Sequence, residues 1–392
     1  MVPNKNDNKP SRQQAPPLVN LPLRPIQEQG PTNAADREQP IEQPDSSSFG
    51  QFVAEYSDAA TDQRPPLQQD LRSKKSSKTI KDKNDLRIAG YKLVSLDKDK
   101  DPPANLSVAA QALIQEFRNI MMYSNETLPE VILQDLKKVF PQTILPHTLL
   151  KHKHLEKGVA LHELKMLQKI IQASDACTIT KEHEDVWNFS VHYPMLCLAF
   201  EDYGTKMQVK PVMSACMIAD VTDTAFEKVD FCILIKPASP ENVEKIVEAQ
   251  SANLQTINQT NAVRHDMIAI SCGTNVDVAA TTGEAQLVIW TKGGLNRACL
   301  LLKKPKGTSP GAPPLPMLRV RNNEWYLLFA YYDNSERLVI LGEQGIGSTR
   351  NLCSIYRLLR CLRLLADWVE DEFREYIDTV LVPGAIKCWV ED

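Results

Sequence analysis

Four arginines, Arg350, Arg357, Arg360 and Arg363, are the most obvious charges the chain offers for binding. On a helix they fall opposite an apolar stripe that includes Ile355, Leu358, Leu359, Leu362, Leu365, Val369 and Phe373, which makes them a basic stripe able to track a phosphate backbone. The competing expectation is a solvated face, partly neutralised by Asp367, Glu370 and Asp371. Just upstream, residues 342–349 (GEQGIGST) follow a β-like run and open a helix, as phosphate-cradling loops do. The spacing Gly-x-x-x-x-Gly-Lys-Ser/Thr is absent, and Ser348 as a helix N-cap is the simpler account. The tract HTLLKHKH, with His147, His152 and His154, has no cysteine or acidic cluster nearby and matches no zinc spacing. With no Gly-x-Ser-x-Gly and no His-Glu-x-x-His, hydrolase chemistry of those kinds has no anchor.

The elements that must position these residues begin late in the chain. The residues before Asn105 hold half of the prolines, none of the nine cysteines and none of the five tryptophans, and the apolar residues of 1–100 lack a period, so that region is expected to be disordered. From residue 105, Leu106, Ala109, Leu113, Phe117 and Met121 recur at helical spacing, and further helices are expected over 128–140, 160–173 and 181–200. Strands are expected over 207–219, 229–235, 267–271, 317–321, 325–332 and 337–341, with helices over 240–250, 283–302 and 348–381. Strands and helices neither alternate strictly nor segregate, which predicts a mixed α/β (α+β) fold with a central sheet flanked by helices. The expected organisation is a Pro/Gln-rich region over 1–100, a helical subdomain over 101–175 and a main domain over 176–392.

A formal net charge of −4 and a pI near 6.0 provide no global positive field, so any nucleic-acid contact must be local. The start lacks an apolar stretch of signal-peptide length, and no apolar run approaches the ~20 residues of a membrane span. The expectation is an intracellular protein, cytoplasmic or nuclear, with no membrane partner. The basic run at residues 72–83 (RSKKSSKTIKDK) is either a nuclear-import signal or a solvated linker. An odd cysteine count without any Cys-x-x-Cys suits a reducing compartment in which cysteines act as small apolar residues.

Six runs in order, EDVWNFSVHYPMLCLAF (184–200), KVDFCILI (228–235), IAISCGTN (268–275), GEAQLVIW (283–290), EWYLLFA (324–330) and IGSTRNLCSIYRLLRCLRLLADW (346–368), resemble the fungal PD-(D/E)XK nuclease-like domain. The resemblance implies a restriction-endonuclease-like core with a metal-binding Asp at a strand end and Glu-x-Lys on the next strand. There the carboxylates hold Mg²⁺ against the scissile phosphate and the lysine orients the attacking water. Asp230 matches the first carboxylate, whereas the Glu-Thr-Lys of the family aligns with Gly273-Thr274-Asn275. Two of the working side chains are therefore missing. The expectation is a degenerate nuclease acting as a binding or regulatory module for nucleic acid or a protein partner, with no cofactor and no nucleotide.

The alternative is an active Mg²⁺-dependent phosphodiester hydrolase with a rebuilt site. Period two along a strand would point Gly273, Asn275 and Asp277 the same way, and Glu284 opens the next helix with Lys292 two turns on. Asp277 is as readily part of a turn, and Glu284 also suits a helix N-terminus by its dipole. Gln286 and Trp290, four apart, resemble the Gln-x-x-x-Tyr element beside the metal in exonuclease-type relatives, against which stands a core Trp290 with Gln286 at its rim. Glu184 matches a family position that can lie near the metal.

Overall fold

The computed structural model describes residues 83–96, 101–123, 128–141, 149–150, 155–213, 215, 229–253, 267–276 and 282–389. All belong to one compact unit, residues 74–392. Asp277, the tract with His147, His152 and His154, and most of residues 72–83 lie outside the described residues.

Helical periodicity in the first part yields α1 (Lys83–Ile88), α2 (Val108–Tyr123), α3 (Leu133–Val139) and α4 (Lys157–Thr180). The segment expected as one helix over 128–140 is broken at its start, where Leu128–Pro129 pair as a two-residue strand β2 with β3 (Leu149–Leu150). Pro129 has no N–H to donate and fixes an extended entry. A long helical run follows α4: α5 (Glu184–Trp187), a wide turn at Asn188–His192, then α6 (Tyr193–Phe200). Helix α4 ends at Lys181, which takes a left-handed conformation with φ 55°.

The sheet has seven strands in the order β1-β9-β8-β7-β6-β5-β4. They are β1 (Lys92–Ser95), β4 (Met207–Pro211), β5 (Phe231–Ile235), β6 (Met267–Asn275), β7 (Leu315–Arg321), β8 (Glu324–Tyr332) and β9 (Leu338–Ser348). Pairs β1/β9 and β6/β7 are parallel and the other four are antiparallel. The fold is thus mixed α/β, a mixed sheet with helices on its faces. Strand β5 is buried at every position, as an interior strand covered on both faces must be. Helix α7 (Pro240–Asn253) follows β5, and α8 (Thr282–Leu301) packs on β6.

Three differences from the sequence reading have physical causes. Residues expected to lack structure near position 100 instead supply α1 and β1, because Leu86, Tyr91 and Leu96 are buried and β1 covers the β9 edge. Strand β6 continues to Asn275, since parallel pairing with β7 holds Gly273 to Asn275 in the ladder despite their low strand propensity. Strand β9 runs on through the glycine-rich run to Ser348, so Ser348 is not a helix N-cap. The cap of α9 (Leu352–Trp368) is Asn351, whose side chain accepts from Ser354 N. Gly347, at φ 137°, serves close packing there: a Cβ on it would sit 2.8 Å from Leu358 Cβ. Beyond α9 the closing helical run continues through wide turns at Val369–Phe373 and Ile377–Leu381, with α10 (Arg374–Tyr376) between, to α11 (Val382–Trp389).

Trp187, Trp290 and Trp325 are almost wholly buried. The His192 ring lies between two of them, stacked on Trp187 and edge-on to Trp325, each at 5.7 Å between centroids. Cys177, Cys232, Cys272, Cys299 and Cys361 are buried and unpaired, and burial pushes the Cys361 thiol up to about 12. Among the described residues no helix is long and apolar enough to cross a membrane.

Candidate functional site

Asp230 directly precedes β5 and is held by β6 on both sides of Gly273. Its N–H donates to Cys272 O at 3.0 Å, and its Oδ2 accepts from Thr274 N at 2.7 Å. This is the backbone-capping role that an aspartate at a strand end can take. Its other oxygen lies 3.4 Å from Asn188 Nδ2. Burial raises the Asp230 carboxyl above its usual range, and the bonds from Thr274 and Asn188 pull against that.

The wide turn after α5 brings Asn188 here. Its Oδ1 is 2.9 Å from His192 Nδ1, while His192 Nε2 donates to Asn322 O at 2.7 Å. Both ring nitrogens then face oxygens, which only a protonated ring satisfies, yet burial holds this histidine down to about 4. The Asn188 amide thus bridges the two groups, its Nδ2 toward the Asp230 carboxyl and its Oδ1 toward the His192 ring.

Glu184, the first residue of α5, is the second carboxyl at this place. It is pushed up to about 7, first by burial, next by the charge of Asp230 and then by Asp185. A bond from the Val276 backbone, just past β6, pulls it back. Two acidic groups, one of which raises the proton affinity of the other, are thus gathered where β5 begins and β6 ends.

The face of β6 that carries Gly273 and Asn275 looks onto α8. A Cβ built on Gly273 would lie 3.7 Å from Gly283 O and 3.8 Å from Leu287 Cβ, ordinary van der Waals contacts for that atom. Beside them in parallel register stand Arg319, opposite Gly273, and Arg321, opposite Asn275. Residues paired in register point to one face, so two arginines border the two positions that lack the expected Glu and Lys. Arg319 is buried and bonds to Glu284 at 2.6 Å and also to Glu343; Arg321 bonds to Glu343 at 2.8 Å. Arg321 also lies over the Tyr326 ring at 5.1 Å. The charges on this face neutralise one another.

A family model, the PD-(D/E)XK nuclease superfamily, matches residues 140–374. The chain belongs to that superfamily. No curated protein matches the chain.

In this superfamily member the sequence-predicted residues fall into separate places. Asp230 and Glu184 come together. Glu284 is engaged by Arg319 under α8, and Lys292 lies over the Tyr91 ring at 5.2 Å. Trp290 is buried at 1% exposure and neighbours Cys232, a core position, with half-buried Gln286 at its rim. Along α9 the basic stripe is largely engaged: Arg350 pairs with Glu324 at 3.0 Å, and Arg363 with buried Glu163 at 2.7 Å. Arg357 and Arg360 are half-buried.

Among the described residues no group of three His, Cys, Asp or Glu side chains is placed to hold a metal. Mg²⁺ needs several oxygen donors in near-octahedral array. Gly273 and Asn275 offer neither a carboxylate nor an ammonium, and one oxygen of Asp230 accepts from Thr274 N. Among the described residues the donor set does not fit the metal site of a PD-(D/E)XK nuclease. Sequence reasoning missed Arg319, Arg321, Glu343, Thr274 and Asn188 as neighbours of this site. For the arginines a signal existed, the alternation Arg319-Val320-Arg321 closing an apolar run; for the others only the fold could supply it.

Proposed function

We propose that this superfamily member has lost phosphodiester hydrolysis and acts as a binding or regulatory module for a protein partner within the cell. The observation that carries the reading is the register of β6 and β7. Gly273 and Asn275 supply neither carboxylate nor ammonium, and the arginines beside them are neutralised by Glu284 and Glu343. A phosphate arriving at this face meets no uncommitted cation from Arg319, whose two acidic partners are already in place. The engagement of Arg350 and Arg363 likewise weakens the case for nucleic acid along α9.

One observation favours the second reading, an active Mg²⁺-dependent nuclease. The charge of Asp230 raises the Glu184 carboxyl, which supports a place where two acidic groups gather, and Asp277 is the further candidate. The test is a Mg²⁺ titration by calorimetry beside a cleavage assay on single- and double-stranded DNA and RNA, with wild-type protein and Asp230→Ala. No metal-dependent cleavage in either protein is the expected result. Cleavage by wild-type protein that disappears in Asp230→Ala overturns the proposal and makes Asp277 and Glu284 the next residues to change.

A further inference from the structure

The chain places a serine directly before a proline at two positions, Ser239-Pro240 and Ser309-Pro310, and a threonine before a proline at none. Proline fixes its own φ and pushes the residue before it toward an extended backbone, the form in which a short segment can be laid into the cleft of a modifying enzyme. The fold separates the two serines. Ser239 leads into α7: Pro240 is the first residue of the helix, Val243 N donates to Ser239 O at 3.2 Å, and the two carboxylate oxygens of Asp378 accept from Ala238 N at 3.2 and 3.3 Å. Its backbone is committed on both sides. Ser309 stands instead in the loop between α8 and β7, where no residue from 302 to 314 belongs to a helix or strand and residues 303–307 are exposed.

The surroundings of Ser309 are a second, independent observation. Its Oγ accepts from Gly311 N at 3.2 Å, and among the described residues its O–H donates to none. Ser309 also lines a surface hollow of about 380 Å³, so a group added to it has room. Two charged side chains are set on its backbone. Lys304 Nζ donates to Ser309 O at 3.3 Å, and Glu336, from the turn between β8 and β9, accepts from Ser309 N at 2.6 Å. A cation is thus within reach of an anion formed at this hydroxyl, and a carboxylate stands where that anion is opposed. Glu372 and Glu375 line the same hollow.

We propose that Ser309 is a phosphorylation site for a proline-directed serine/threonine kinase, and that the phosphate acts as a switch on this loop. In the transfer, Ser309 Oγ bonds to the γ-phosphorus of a nucleoside triphosphate as the bond from that phosphorus to the bridging oxygen breaks. The nucleoside diphosphate leaves, and the hydroxyl proton passes to the catalytic carboxylate of the kinase. The product carries a charge of about −1.5 to −2 at neutral pH. That charge repels Glu336 from Ser309 N and opposes Glu372 and Glu375 across the hollow, so the loop is released from the β8–β9 turn. Lys304 turns from the Ser309 carbonyl to the phosphate, the stronger partner. None of this depends on whether the site at Asp230 performs chemistry.

The test incubates full-length protein with ATP and a purified proline-directed kinase of the mitogen-activated class, maps phosphate by mass spectrometry, and compares melting temperatures before and after. The variants are Ser309→Ala, Ser239→Ala, Pro310→Ala and Glu336→Gln. Expected are phosphate on Ser309 in wild type and in Ser239→Ala, its loss in Ser309→Ala, and a severalfold slower reaction in Pro310→Ala. The modified wild-type protein should melt about 2–4 °C lower, with a smaller shift in Glu336→Gln and full reversal by a phosphatase. No phosphate on Ser309, phosphate on Ser239 at the same rate, or an unchanged rate in Pro310→Ala overturns the site. A melting temperature that the phosphate leaves unchanged, or lowers equally in wild type and Glu336→Gln, overturns the switch.

Discussion

Glu184 opens the helical run, His192 stands eight residues on, and the two titrate in opposite senses. Glu184 titrates at about 7 in the fold against 4.5 ordinarily. Between those values the folded chain keeps a proton that the unfolded chain has released, so stability falls as pH rises through this window and the penalty is complete above 7. His192, held down to about 4 against 6.5, contributes stability that is lost as pH falls from 6.5 to 4. The two terms overlap in the wild-type curve, and Glu184→Gln separates them. Expected is a variant equal to wild type near pH 4.5 and more stable by on the order of 1–2 kcal/mol at pH 7.5, allowing for partial screening; parallel curves in denaturant titrations across that range refute it. The neighbouring tryptophans test packing. Trp187→Ala and Trp325→Ala each empty a buried aromatic site against His192 and should cost about 3–5 kcal/mol. Unchanged unfolding midpoints in both would show that neither ring anchors the core.

At the scale of elements, the deciding contact is between α8 and the strand pair β6/β7. Glu284 does not depend on a metal for its place, because Arg319 holds it. Glu284→Ala leaves a buried guanidinium with one carboxylate fewer, and a broken buried pair costs about 3–5 kcal/mol. The expected result is a large loss of stability that added Mg²⁺ does not alter. If Mg²⁺ raised the melting temperature of wild-type protein and failed to raise that of Glu284→Ala, Glu284 would be a ligand. Helix α9 and the turn before it show the same economy of charge: Arg363 joins the helix to Glu163 of α4, and Arg350, just ahead of the cap, pairs with Glu324 of β8.

For the whole molecule, the start of the fold is set by β1. Removing residues up to Asn105 would take away α1 and β1, expose the β9 edge and uncover the surface that Leu86, Tyr91 and Leu96 bury. A protein beginning at Lys74 is expected to keep the full-length melting temperature, and one beginning at Asn105 to melt lower or aggregate. Equal melting temperatures for the two would show that the edge strand contributes nothing.

The sequence by itself determined the element types and the missing chemistry. Helical and strand periods reflect which face each element buries, a local property, so α2, α8, β5 and β8 were legible within a few residues, and α4 runs seven residues beyond its expected end. The absence of Glu and Lys at Gly273 and Asn275 needed only the alignment of short runs. Strand β1 was not legible, because an edge strand of four residues gains its stability from β9, some 245 positions away, rather than from its own pattern. The end of β9 was hidden for a similar reason: Gly342, Gly345 and Gly347 read as a loop until the pairing of the first with β1, of the other two with β8, and the close approach of Leu358 to Gly347 are known. What fills the face beside Gly273 was decided only by tertiary structure. Arg319, Glu284 and Glu343 come from three elements, and a buried ion network exists only where folding removes water from all of its members at once.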